Sequence, residues 1–194
     1  MSILEARTSN PVEGGPSFSL RNRLLRSFWR ITWLLLASWT PPPLRAWRRF
    51  LLRLFGAEVA PSAVVYGSAR VWLPSNLKLG RHACIGPGVN VYNMANITFA
   101  EYAIASQRVH LCAGTHDIED ENFQLKSRPI TIGARAWIAA EAFVGPGVSI
   151  GEGAVLGARA CAFRDLEPWT VYTGNPAQVL RKRNVRFPPD AQES

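Results

Sequence analysis

Cysteine is scarce in this chain: Cys84, Cys112 and Cys161 are the only three among 194 residues. An odd count without paired spacing excludes a disulfide framework and a cysteine-rich zinc module, and it points to free thiols in a reducing, cytoplasmic compartment. Histidine is equally scarce, with His82, His110 and His116 alone. A zinc site needs three or four converging ligands, so no metal is expected. Residues 1–19 lack a secretory leader's order of charge, apolar run and cleavage site. The uncharged run over 31–43 falls short of the roughly 20 residues that span a bilayer. Acidic residues are missing altogether from 14–57, where eight arginines sit. The rest of the chain balances its charges, so the net +8 belongs to that one segment. A local excess argues against a nucleic-acid partner. Hydrophobic content of 47% supports one cored domain with an appendage.

What is present is a period of six. Ile132, Ile138, Val144, Ile150 and Leu156 recur at that interval. Each is followed by Gly or Ala, and a small residue or Val lies two places ahead: Ala136, Ala142, Val148, Ala154, Ala160. Neither a helix nor an alternating strand has this period. A hexapeptide-repeat parallel β-helix does, with one short strand and a turn per unit. The aliphatic residue points inward, and the glycine is read as tolerating a backbone conformation that a β-carbon opposes. An earlier block, from about Ala60, carries two offset series: Val65, Val71, Leu77, Ala83, Val89, and Leu73, Leu79, Ile85, Val91, Ile97.

Ahead of the repeats, 1–19 reads as a loose tail. Residues 20–56 read as two helices broken by Pro41, Pro42 and Pro43. In the first, Leu24, Phe28, Ile31 and Leu35 line one face and Arg23, Arg26 and Arg30 another. In the second, Leu44, Trp47, Leu51 and Leu54 oppose Arg45, Arg48, Arg49 and Arg53. Two readings stay open for this pair: a helix lying in a membrane interface, or packing on the β-helix or a neighbouring subunit with solvated arginines. The β-helix is expected over 57–177. Its phase breaks between Val109 and Ile132, so an irregular loop, 115–131, must leave the prism. Residues 178–194 are expected to form a short basic helix and a frayed tail.

Loops thrown out of rigid scaffolds are where chemistry concentrates. His116 opens this one. Histidine's ordinary pKa, about 6.5, suits proton transfer near neutrality. His82 and His110 sit in regular repeats and read as surface residues. Cys112 reads as a small strand residue, not a nucleophile.

Leu111-Cys-Ala-Gly-Thr-His-Asp117, Pro129-Ile-Thr-Ile-Gly133, Ala136-Trp-Ile-Ala-Ala140, Phe143-Val-Gly-Pro-Gly147 and Thr173-Gly-Asn-Pro-Ala177 together resemble the hexapeptide-repeat O-acetyltransferases. The resemblance is to the colanic acid biosynthesis type, related to maltose and galactoside acetyltransferases, and runs from about Leu20 to Arg183. It implies a left-handed β-helix, a homotrimer with sites between subunits, acetyl-CoA as donor and a sugar hydroxyl of a saccharide or exopolysaccharide precursor as acceptor. His116 matches the family's general base. Asn93 lies near its active-site asparagine, as an acceptor contact or oxyanion donor. Trp137, Ala140, Ala158, Arg164 and Arg181 match positions that meet the coenzyme. With the arginine-rich helices, it suggests a cytoplasmic enzyme seated peripherally on the inner membrane face through 20–55. The alternatives are a non-catalytic β-helix scaffold in polysaccharide assembly and a metalloenzyme like the γ-carbonic anhydrases.

Overall fold

The structure, a computed structural model, describes residues 3–185. Its body is a parallel β-solenoid of about six turns. The first face stacks Glu58–Val59, Leu77–Leu79, Ile97–Phe99, Ile130–Ile132 and Ser149–Ile150. The second stacks Val64–Val65, Cys84–Ile85, Ile104–Ala105, Trp137–Ile138, Val155–Leu156 and Thr170–Thr173. The third stacks Arg70–Val71, Asn90–Tyr92, His110–Cys112, Phe143–Val144 and Cys161–Ala162. The second strand residue in most pairs points inward, and Val65, Ile85, Ile132, Ile138, Ile150 and Leu156 make a continuous buried core.

The coil length explains the two offset series. Ile132 pairs with Ile150, eighteen residues on, which is three hexapeptides. Leu79 pairs with Phe99 and Val65 with Ile85, twenty on. The extra pair of residues enters at one corner, between the third and first faces, where Pro74–Asn76 and then Asn93 and Met94 bulge. The inserted segment leaves from that same corner one coil later. It is not irregular: Gly114–His116 and Leu125–Ser127 pair as an antiparallel hairpin. Residues that leave the prism still need partners for their backbone groups, and they find them in each other.

The reason for the repeat glycines also differs from the expectation. Gly133 and Gly151 have no left-handed φ. A β-carbon on Gly133 would lie 2.7 Å from the Glu152 nitrogen, and one on Gly151 would lie 2.5 Å from that of Pro168. The next coil simply passes too close. The left-handed corners fall at other residues, including Arg135, Glu141 and Arg159.

Helices α1 (Ala6–Ser9), α2 (Leu20–Leu36) and α3 (Arg45–Leu54) precede the solenoid. In later coils the carbonyls of Leu79, Ile85 and Val91 accept from the N–H groups of Ala60, Tyr66 and Trp72 in the coil before. The equivalent carbonyls of the first coil, Val59, Val65 and Val71, have no coil before them. Side chains of α2 and α3 take that place. Arg53 donates to Val59 O (2.9 and 2.6 Å), Arg48 Nε to Val65 O (2.7 Å) and Trp29 Nε1 to Val71 O (2.7 Å). Arg49 and Trp33 serve Ala63 O and Gly67 O in the same way. An open sheet edge is a liability, and this pair of helices closes it. Three of the four α3 arginines therefore donate to the solenoid, with Arg49 half-buried and Arg53 still exposed. Arg48 is buried, and its Nη1 also donates to Thr40 and Pro41. Burial lowers its pKa.

Two further expectations are corrected. Residues 3–18 form a strap rather than a loose tail: Ile3 bridges Phe18, Leu4 N donates to Ser17 O, and Ala6 is buried. It is also tied to Gln124, about 120 residues along the chain and beyond the reach of local pattern. The short C-terminal helix is instead a strand, Gln178–Lys182, antiparallel to Thr170–Thr173. The last coil leaves an edge that a strand can pair with and a helix cannot. Arg183 Nη1 fastens it to the carbonyls of Arg135 and Gly153. The expected frayed tail over 187–194 lies outside the described residues.

Candidate active site

His116 ends the first strand of the hairpin, exposed. Its Nδ1 lies 2.7 Å from the carbonyl oxygen of Phe123. A carbonyl only accepts, so Nδ1 carries the proton, and in the neutral ring the lone pair belongs to Nε2. The neighbouring Asp117 does not orient the ring. Its carboxylate meets Lys126 Nζ at 2.5 Å, and that hydrogen bond holds its pKa below the usual carboxylate value. The orienting group is thus a backbone carbonyl of the hairpin. Sequence reasoning missed Phe123 because a carbonyl has no side-chain signature.

Beside the hairpin root lies an aromatic and cationic cluster. The Arg26 guanidinium sits 4.3 Å over the Trp72 ring and 4.9 Å over Phe18. Trp72 meets Tyr92 edge-on at 5.6 Å. Tyr92 is laddered beside Cys112, and burial raises its pKa. Burial likewise lowers that of Arg26. Arg23, Arg26, Phe18 and Ser17 line an open cavity of about 300 Å³. The Cys112 thiol donates to the Gly114 carbonyl at 3.2 Å, as a local strand contact.

Asn93 does not fit the role of acceptor contact. It is fully buried, with Oδ1 accepting from Leu73 N (3.0 Å) and Nδ2 donating to Leu73 O (2.6 Å). Its side chain fastens one widened corner to the one before. Met94, its neighbour, is the residue that packs toward the hairpin: a β-carbon on Gly114 would meet its Sδ.

The coenzyme candidates separate into groups. Ala140 and Ala158 stack on one corner, between the second and third faces, with Arg159 N bonded to Ala140 O at 2.9 Å. Trp137 lies on the adjoining second face, exposed, its Nε1 bonded to Ser106 Oγ at 2.8 Å. Together they make a shallow edge of small residues beside an indole. Arg159 and Arg108 flank it, both paired to Glu141 (2.6 and 3.5 Å). The Arg159 hydrogen bond is the main cause of a lowered Glu141 pKa. Sequence reasoning missed these two arginines. Arg159 is the residue that follows Ala158, the only signal available. Arg181 shares the second face but lies in the terminal strand, and Arg164 follows the third face on a different corner. His116 also leaves from that other corner, two coils before Arg164, so within one chain the third face stands between it and the alanine edge.

His110 is half-buried rather than a surface residue. It meets Phe143 edge-on at 5.4 Å, its Nε2 lacks a partner, and burial lowers its pKa. His82 stacks on Tyr102 at 4.8 Å. Among the described residues, no three His, Cys, Asp or Glu side chains gather as metal ligands.

No family profile matches the chain. Over 162 residues it is 40% identical to the "Putative colanic acid biosynthesis acetyltransferase WcaF" of Escherichia coli, covering 84% of this chain and 89% of that protein. It is 29% identical over 142 residues to the galactoside O-acetyltransferase of Escherichia coli, 72% and 70% of the two chains. A hexapeptide-repeat acetyltransferase of Vibrio cholerae, crystallised with acetyl coenzyme A, superposes with a TM-score of 0.76 at 23% identity, over 88% of this chain and 93% of that one. The shared fold is the left-handed parallel β-helix.

Proposed function

Since this chain belongs to the hexapeptide-repeat acetyltransferases, we propose that it carries acetyl from acetyl-CoA to a sugar hydroxyl of a saccharide or exopolysaccharide precursor. The observation that carries this reading is the Phe123 carbonyl on His116 Nδ1. It fixes the neutral ring in the Nδ1–H tautomer, which leaves Nε2 the lone pair that a general base requires. The acceptor oxygen attacks the thioester carbonyl carbon while His116 Nε2 takes its proton. The tetrahedral intermediate then expels the CoA thiolate, which receives that proton from the imidazolium. Thiolate is a good leaving group, so no acyl-enzyme is needed. The two relatives, one named for colanic acid biosynthesis and one for galactosides, support a carbohydrate acceptor. The Vibrio complex supports acetyl-CoA as donor.

The alanine edge with Trp137 suits a pantetheine arm, because small side chains let an extended thiol arm lie against the backbone. Arg181 is proposed for its phosphates, joined by Arg159, and Arg164, on the other corner, for those of a coenzyme seated on a neighbouring copy. The separation of His116 from that edge within one chain supports a site completed by a neighbouring copy, as in a homotrimer. The outward face of α2 is proposed to rest on the cytoplasmic side of an anionic membrane, near a lipid-linked acceptor.

The test is acetyl-CoA turnover against a sugar panel, wild type beside His116→Ala. Loss of a general base should lower kcat by about 10²–10⁴-fold, with the KM for acetyl-CoA little changed. Equal rates would remove His116 from the mechanism. Absence of turnover by the wild type with every sugar would favour a non-catalytic scaffold.

A further inference from the structure

We infer that Gln124 is a positioning residue for His116 and that the N-terminal strap acts on catalysis through it; this rests on His116 being the base. The residue that orients the ring, Phe123, stands in the left-handed region at φ 52. Bulky side chains rarely adopt that conformation, so something must hold it. Phe123 N donates to Asp120 O at 2.9 Å, which closes the hairpin turn. Beyond it, Gln124 is gripped on three sides. Its carbonyl accepts from Asp117 N at 2.8 Å, completing the hairpin beside His116. Its Oε1 accepts from Ala6 N at 2.7 Å. Its Nε2 donates to Leu4 O at 3.2 Å and to Leu125 O at 3.0 Å.

One side chain therefore joins the strap to the hairpin, using both ends of its amide. The strap is itself held at its far end. Ile3 bridges Phe18, and Phe18 is buried against Trp72 at 5.2 Å and under Arg26. The path runs from the solenoid wall through Phe18, the strap and Gln124 to the Phe123 carbonyl, and so to the proton on Nδ1. Without Gln124 the left-handed Phe123 is free to relax. Its carbonyl then leaves the ring, and the imidazole samples both tautomers and other rotamers. The same loss follows if the strap is removed, because Gln124 is then held only by its own hairpin.

The test compares the full-length enzyme with Gln124→Ala, with a deletion of 1–15 that spares Phe18, and with the two combined. Each single change should lower kcat by roughly 10- to 10²-fold, the upper figure being the scale of an ångström's misplacement of a catalytic group, with the KM for acetyl-CoA within about twofold. The combined variant should lose little more than either alone, because both act on one contact. The ring nitrogen shifts of His116, identified against His116→Ala, should report an Nδ1–H ring in the wild type and a tautomer mixture in each variant. Unchanged kcat and unchanged ring shifts in Gln124→Ala would overturn the inference while leaving the base in place. So would losses that multiply in the combined variant. If Gln124→Ala does not fold, the deletion alone decides through the same two readouts. A His116→Ala enzyme as fast as wild type would instead sink the reading beneath it.

Discussion

Asn93 spends its whole side chain inside the protein. Both ends of its amide bind the backbone of Leu73, and Asn76 Nδ2 in turn donates to the Asn93 carbonyl at 3.0 Å. Asn93→Ala would leave the buried Leu73 N–H unsatisfied, while the Leu73 carbonyl keeps the Asn76 N–H, a cost of about 1–3 kcal/mol. Urea unfolding should therefore register the change, and kcat per folded molecule should stay near wild type. A large drop in kcat with unaltered unfolding would return Asn93 to the reaction. The reverse case is His116. Its place at the mouth of an interruption in the repeat was readable, because a broken period is a sequence fact. What orients its ring was not readable. The orienting group is a backbone carbonyl, whatever side chain its residue carries, and the residue beside His116, Asp117, is taken by Lys126. Asn93 misled for a related reason: an asparagine near a loop looks the same whether its amide faces a ligand or a backbone.

At the scale of elements, the strict period of the later coils made the solenoid legible, and twenty-residue coils blurred the earlier ones. The cap was not legible. Arginine and tryptophan on a helix read as a face for solvent or membrane, whereas here they donate to carbonyls that only the folded first coil exposes. Trp29 isolates the effect, since Trp29→Phe keeps an aromatic ring and removes only the donor to Val71 O. We expect a loss of about 1–3 kcal/mol for the stranded carbonyl, beyond the smaller ring's packing. Trp39→Phe is the control. Trp39 is exposed and bonds only within its own helix end, at Leu35 O, so its removal should change stability by less than about 0.5 kcal/mol. Equal effects at the two sites, measured at one fixed protein concentration because subunit association shifts apparent stability, would refute the cap.

For the whole molecule, turning the donors inward leaves apolar residues outside. Leu24, Phe28, Ile31 and Leu35 fall on one stripe of α2 and are 61%, 63%, 55% and 61% exposed, while Trp29 and Trp33 on the opposite side are buried. Phe50 and Leu54 of α3 are exposed as well. Arg21, Arg23 and Arg30 flank the stripe, exposed, and no acidic residue lies within 14–57. Among the described residues no helix is long and apolar enough to cross a membrane. An apolar ridge edged by cations fits the interface of an anionic bilayer, where each Arg near the surface contributes about 1 kcal/mol and salt weakens it. A like copy fits less well, since a two-fold contact would bring these arginines together. The protein should float with vesicles containing anionic lipid, less so at high salt, and not with zwitterionic vesicles. Replacing the four stripe residues by serine should abolish flotation while leaving turnover of a soluble acceptor and the oligomeric mass unchanged. A wild type that never floats, or a serine variant that falls apart into single chains, would assign the ridge to contact between subunits instead.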